Sequence, residues 1–274
     1  MPTRQRAIDH IVITVPDLAA AAAAYEALGF VLTPTAQHPW GTANRLALFA
    51  GRCFLEILEI DRPEVLEAHI ARQPAEDFDF GGFNKRYLEE RQGASMLVLT
   101  GNDSRADAAA YAALGGHAPF DFERFATQPD GSQRRVAFSL AFASDPSLPL
   151  CGFFTCHNLE PDSFWKPEYQ MHGNGAQTIR QAVLVSDTPE VHTPFLSGFT
   201  GADPEPRTEG FAFPLGEQEL LVVRPEAIPD LFRGATVTVK GPHLLGLKLA
   251  SDKPGPTISL PSQAAGVALA WDRP

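Results

Sequence analysis

The run His10 to Val15, HIVITV, alternates in a way that assigns each side chain to a face. His10, Val12 and Thr14 share one side, and Ile11, Ile13 and Val15 share the other. The all-aliphatic side is expected to pack under the alanine-rich helix that the next stretch, Leu18 to Leu28, predicts. His10 then points to the opposite, concave face. The same parity in CFLEILEI places Phe54, Glu56 and Leu58 together. A carboxylate inside so apolar a run is costly to bury unless it is paired or coordinates a metal. Glu56 is also open to a plainer reading, a half-exposed strand position paired with Arg45 or Arg52.

The pattern repeats. Sliding the chain by 86 residues brings Tyr25 onto Tyr111, Gly29 onto Gly115 and Asp17 onto Asp103, so that DHIVITVPDLAAAAAAYEALGF overlies SMLVLTGNDSRADAAAYAALGG. Each copy reads as strand, acid-capped turn, helix and glycine stop. Strand-like runs follow: FVLTP, NRLALFAG and CFLEILEI in the first copy, APFDFER, RRVAFSLAFA and CGFFTCHN in the second. A weaker third copy starts at Thr178, and the tail from Ala235 supplies ATVTVK, LLGLKLAS and VALAW as a worn fourth. The repeating unit is βαβββ, which defines an α+β fold rather than a doubly wound parallel sheet. The expected organisation is a first module over 1–62, a helical linker over 63–92, a second module over 93–160, a linker over 161–177 and a degenerate C-terminal region over 178–274. Two modules are expected to pair into a curved mixed sheet around a cleft. The linkers are candidate lids.

Composition narrows the function classes. A formal net charge of −11 with no basic cluster argues against nucleic acid or an anionic membrane as partner. No apolar run is long enough to span a bilayer, and no secretory leader is expected at the N-terminus. Three irregularly spaced cysteines, Cys53, Cys151 and Cys156, fit reduced thiols in a cytoplasmic protein better than a disulfide framework. No phosphate-binding glycine loop or nucleophile elbow is present, so no nucleotide cofactor is expected. What remains is a protein that acts on a small-molecule ligand or on other proteins, with room for a homodimer.

At this point the chain resembles the vicinal oxygen chelate superfamily of glyoxalase I, bleomycin-resistance proteins and extradiol dioxygenases. The resemblance is carried by DHIVITVPDLAAAAAAYEALGF and the acid in FLEILEI. More narrowly it is similar to the glyoxalase-like domain branch, through HPWGTANRLALF (His38 to Phe49) and HGNGAQTI (His172 to Ile179). The resemblance implies paired βαβββ modules around a divalent metal (Fe, Mn, Ni or Zn), with ligands from first and last strands. It puts the first-strand ligand on His10 and the fourth-strand ligand on Glu56, which would double as general base. In the second copy Met96 falls where a ligand is expected, and His157 is the better third ligand than Cys156. In the third copy the corresponding positions are Arg180 and Leu221.

Other residues are candidates for holding a substrate. In HPWGTANRL, Gly41 and Thr42 interrupt the strand at a bulge or a close backbone approach, and Asn44 both donates and accepts hydrogen bonds. His38, Thr42 and Asn44 are therefore expected at the cleft, with a Thr- and Asn-stabilised hairpin turn as the competing explanation. His172 and Asn174 line the cleft mouth or sit on a glycine turn. Arg180 is an anion clamp or an exposed arginine. Phe78, Phe80, Phe83, Phe153, Phe154 and Trp165 are candidates for an apolar wall. The favoured function is a metal-dependent lyase, isomerase or ring-cleaving dioxygenase. A non-catalytic drug- or toxin-binding protein is the alternative, and a dimer-forming interaction protein comes third.

Overall fold

In the computed structural model, residues 6–127, 133–161, 165–238, 240–253 and 257–272 are described. The first repeat unit forms β1 (Ile8–Thr14), α1 (Leu18–Ala27), β2 (Ala36–Gln37), β3 (Thr42–Leu48) and β4 (Phe54–Ile60). The intervening segment holds α2 (Pro63–Ile70) and α3 (Phe80–Glu90). The second unit forms β5 (Gly93–Thr100), α4 (Ser104–Tyr111), β6 (Phe120–Thr127), β7 (Gln133–Ala143) and β8 (Gly152–Asn158). These eight strands make one mixed sheet in the order β2-β3-β4-β1-β5-β8-β7-β6. The two units meet at an antiparallel β1–β5 seam, and within each unit the first strand pairs in parallel with the last.

The C-terminal part builds a second sheet by the same plan. It contains β9 (Ala176–Val185), α5 (Thr193–Thr200), β10 (Glu205–Arg207), β11 (Gly210–Leu215), β12 (Gln218–Val223), α6 (Ile228–Leu231), β13 (His243–Ser251), β14 (Ile258–Ser259) and β15 (Ala268–Asp272). The order is β10-β11-β12-β9-β13-β15-β14, again with an antiparallel seam of two first strands, β9 and β13. The worn tail is thus a fourth unit whose helix is missing among the described residues. Of ATVTVK, residues 235–238 form no strand and Val239 lies outside the described residues: Ala235 and Val237 pack instead into a core cluster with Val183, Leu221, Ile228 and Phe232. That cluster fills the inner face of the second sheet with the chain's own residues.

One large core joins the outer faces of both sheets. Ile11, Ile13 and Val15 lie in it beside Leu18, Ala22 and Tyr25 of α1, as the strand parity requires, and so do Ile179, Ala182 and Leu184 of β9. The helices start and stop where the sequence says. Asp17 accepts a hydrogen bond from the Ala20 amide at 2.9 Å, and Asp103 from the Ala106 amide at 3.0 Å. After α1 the chain turns at Gly29, with φ +87°, where an added Cβ would come within 2.9 Å of the Asn174 nitrogen. Only glycine suits both that backbone and that approach.

The inner face of the first sheet is covered unequally. Phe83 and Tyr87 of α3 pack on Val12, Leu58 and Met96, and Asn84 of α3 accepts a hydrogen bond from Thr14 Oγ1 at 2.7 Å. This end is closed. The other end, toward His10, stays open as the cleft described next.

Candidate functional site

A cavity of about 660 Å³ opens on the inner face of the first sheet, floored by His10, Asn44 and Glu56. That volume falls within the range that takes drug-sized ligands. Its walls are aromatic: among the described residues, eight phenylalanines line it together with Trp40 and Tyr169. Phe54 stacks on the His10 ring at 4.3 Å between centroids, and Phe154 meets it edge-on at 5.5 Å. Both rings come from strand positions of the same parity as His10, which is why they converge. Of the six aromatics expected to form a wall, Phe80 and Phe154 line the cavity. Phe153 lies on the other face in the shared core, and Phe83 sits in the closed end.

The polar floor is a connected set. His10 Nδ1 lies 2.6 Å from Asp9 Oδ1, and His10 Nε2 lies 3.6 Å from Glu56 Oε2. With the Nδ1–H donated to Asp9, Nε2 is the nitrogen that faces Glu56 and the cleft. Asn44 Nδ2 donates to Glu56 Oε1 at 2.6 Å and lies 3.4 Å from His38 Nε2. His38 Nδ1 in turn meets Thr42 Oγ1 at 2.8 Å. Neither Arg45 nor Arg52 takes Glu56: Arg45 pairs with Glu26, and the Arg52 guanidinium lies over Trp165. The Glu56 side chain is only 10% exposed, so its nearby donors carry the cost of burying the charge.

Asp9 was not legible from parity. A regular strand would send it to the face opposite His10, but the β1–β5 register shifts between Ile8 and His10. Two residues there oppose one on β5, and Asp9 is the extra one. A bulge of this kind re-aims a side chain, and here it brings Asp9 to the imidazole. The close approach at Gly41 is also real. Its φ is +94°, and an added Cβ would lie 2.7 Å from both the Arg62 carbonyl oxygen and the Leu66 nitrogen. This contact fixes the turn that carries His38 and Thr42.

The strand ladders settle which residues are equivalent. In β1–β4 the partners are His10 with Phe54 and Val12 with Glu56. In β5–β8 they are Met96 with Gly152 and Val98 with Phe154. In β9–β12 they are Gln181 with Glu219 and Val183 with Leu221. The position of His10 is therefore held by Met96 and then Gln181, and that of Glu56 by Phe154 and then Leu221. Arg180, expected at the first of these, is one residue out of register. It is exposed on β9 with its Nη1 near Glu217, away from the cleft.

His157 is a second correction. It falls one position past Cys156, on the opposite face of β8, where it lines a separate outer hollow with Ser104 and Ser139. Cys156, like Phe154 two residues before it, is a β8 residue that reaches the cleft. Burial, reinforced by the charges of Asp9 and Glu56, pushes its thiol well above the usual range, which keeps it protonated. His172 and Asn174 are a third correction. His172 Nδ1 accepts from the Val31 amide at 2.9 Å, Nε2 lies 2.9 Å from the Leu48 carbonyl, and Asn174 Nδ2 donates to the Leu28 carbonyl at 3.0 Å. Both tie the linker to the first unit. His38, Asn44, His10 and Glu56 are the expected residues that the fold brings to the cleft, with Thr42 directly behind His38.

A divalent ion bound through protein side chains usually takes three or more donors. His10 and Glu56 offer two, with Met96 and Phe154 at the other strand positions. Among the described residues no group of three or more His, Cys, Asp or Glu side chains is arranged to hold a metal ion. The donor set therefore does not fit a resident chelate site.

Paired βαβββ units curved around a cleft are the architecture that the resemblance to the vicinal oxygen chelate superfamily implies. Residues 8–200 match the glyoxalase-like domain family, and the chain belongs to that family. A comparison with curated proteins finds no match. Among solved structures, a hypothetical protein from Staphylococcus aureus is similar over 98% of this chain and 100% of its own, with TM-score 0.72 at 14% identity. A substituted 4-hydroxymandelate synthase from Streptomyces coelicolor is similar over 91% of this chain and 72% of its own, with TM-score 0.54 at 13% identity. A fusion of a xylose isomerase-like TIM barrel with 4-hydroxyphenylpyruvate dioxygenase follows at TM-score 0.50 and 14% identity, over 92% of this chain and 38% of its own. At such identities the likeness is one of fold.

Proposed function

We propose that the protein is an enzyme that moves a proton on a small oxygenated organic molecule, of the isomerase or lyase kind, with His10 and Glu56 as the acid–base pair. The observation that carries this reading is the facing of Glu56 Oε2 and His10 Nε2 at 3.6 Å on the floor of an aromatic cleft. Glu56 takes a proton from the carbon beside a substrate carbonyl. The His10 imidazolium, oriented by Asp9, gives one to the carbonyl oxygen. The resulting enol collapses by the reverse transfers, so the proton count closes within the pair. Asn44 holds Glu56 Oε1, which leaves Oε2 as the working oxygen. A divalent metal is typical of the superfamily and would supply Lewis-acid help to the same chemistry, but the donor set described above does not complete a site for one.

Deuterium exchange tests the reading. Candidate ketones are incubated with the protein in heavy water, and loss of the α-proton signal is followed by NMR. Glu56→Gln should lower the exchange rate by about 10²–10⁴ while leaving ligand affinity within a few-fold. Exchange that survives Glu56→Gln and His10→Ala would refute it. Stoichiometric binding without exchange would favour the binding-protein reading, which the two-donor floor also supports.

A further inference from the structure

The charge on the floor of the cleft restricts what can enter it, whatever happens there afterwards. Asp9, His10 and Glu56 form one contiguous cluster, with side chains 15%, 5% and 10% exposed. Two carboxylates flank one imidazole. If the imidazole is neutral the cluster carries two negative charges, and if it is protonated it carries one. Either way the floor is negative. Cys156 beside it is held as a thiol and adds no positive charge. Among the described residues that line the cavity, Lys166 is the one lysine or arginine, and it comes from the linker rather than from the strands that build the floor. The chain's formal charge of −11 adds a repulsive field at longer range.

The rest of the surface has the opposite preference for size and shape. Among the described residues, eight phenylalanines and Trp40 line the wall. Phe122 packs edge-on to Trp40 at 4.9 Å, and His38 stacks on that indole at 4.7 Å. Such a wall rewards a flat apolar body. The floor carries hydrogen-bonding groups at His10, Asn44 and Glu56, while Thr33, Thr35, Gln37, His38 and Tyr169 add others around the wall.

From these observations we infer that the ligand is an uncharged aromatic molecule that leads with a single carbonyl group, and that the cleft rejects carboxylates and phosphates of the same size. The inference rests on the reading of this cleft as the ligand site and deepens it by naming the substrate class. Discrimination arises because a buried anion would face Glu56 at short range, with the Asp9 carboxylate next behind the His10 ring. A neutral carbonyl brings no charge for these carboxylates to repel.

A matched set of naphthalene probes tests this by equilibrium dialysis against the whole protein at pH 8: 2-acetylnaphthalene, 2-naphthoate and 2-naphthyltrimethylammonium. The ketone should bind at least tenfold more tightly than the carboxylate. Asp9→Asn and Glu56→Gln should each narrow that gap several-fold by improving naphthoate binding, and two variants guard against one that folds poorly. Naphthoate binding as tightly as the ketone would overturn the inference. So would tightest binding by the ammonium probe, which would make the cleft a cation box, or no binding by any of the three. Dialysis reads affinity alone, so a failed exchange experiment leaves this result standing, and the reverse also holds.

Discussion

Replacing His172 by alanine distinguishes a residue that serves the ligand from one that holds the fold. The imidazole is 1% exposed, accepts from the Val31 amide and meets the Leu48 carbonyl, each at 2.9 Å. It also packs edge-on against Phe30 at 5.5 Å and Phe49 at 5.3 Å. Alanine leaves a backbone donor and a backbone acceptor without partners, at about 1–3 kcal/mol each. Val31 is half-buried, so water repays part of its loss, whereas Leu48 is fully buried. Adding the void left by the ring gives a total of about 3–5 kcal/mol, a large share of a typical domain's stability. The loss also carries a pH signature. Burial lowers the His172 pKa from 6.5, because a protonated Nδ1 cannot accept from Val31 and a buried charge is poorly solvated. The unfolded chain therefore binds the proton more readily than the folded one. The stabilisation is full above pH 6.5 and is lost as the pH falls toward the folded value, with a slope of at most about 1.4 kcal/mol per pH unit. Urea unfolding followed by tryptophan fluorescence and circular dichroism at pH 8 and pH 5.5 reads both effects. The variant should be destabilised at pH 8 and should lose less on acidification than the parent. A loss below 1 kcal/mol at pH 8, or a lost ligand with stability intact, would refute the structural assignment.

Three further outcomes follow from contacts elsewhere. Arg6→Ala removes the bidentate partner of Asp107, at 3.1 and 2.8 Å, and leaves a buried carboxylate with the Thr155 hydroxyl as its donor. Urea unfolding should show a loss of about 3–5 kcal/mol, and a loss under 1 kcal/mol would mean water already reaches the pair. Gly41→Ala forces a Cβ against the Arg62 carbonyl and the Leu66 nitrogen at a backbone φ of +94°. It should lower both the melting temperature and the affinity for 2-acetylnaphthalene, because the turn carrying His38 and Thr42 must move; unchanged affinity would separate that turn from the cleft. Metal mass spectrometry after reconstitution with iron, manganese, nickel or zinc should find well under one equivalent, since two donors hold an ion weakly. One equivalent in the parent, lost in both His10→Ala and Glu56→Ala, would restore the chelate site.

The alternation in β1 and β4 was enough, without any tertiary information, to send His10 and Glu56 to the same face, because strand periodicity is local and two residues long. The 86-residue repeat likewise fixed the βαβββ plan, and the caps Asp17 and Asp103 and the stops Gly29 and Gly115 follow from side-chain and backbone chemistry within one turn. The residues that moved are those whose position depends on a partner far along the chain. The register of β8 against β5, set by pairing between strands more than fifty residues apart, put Cys156 in the cleft and His157 outside it. The β9–β12 register put Gln181 rather than Arg180 at the His10 position. His172 and Asn174 lie in a linker with no period to read, and only its docking on Gly29 and Leu48 made them structural. The bulge that brings Asp9 to His10 exists only in the paired sheet, where β5 offers one residue to two on β1. Sequence periodicity determines which face a side chain takes within its own strand. Strand pairing decides which side chains from different strands meet.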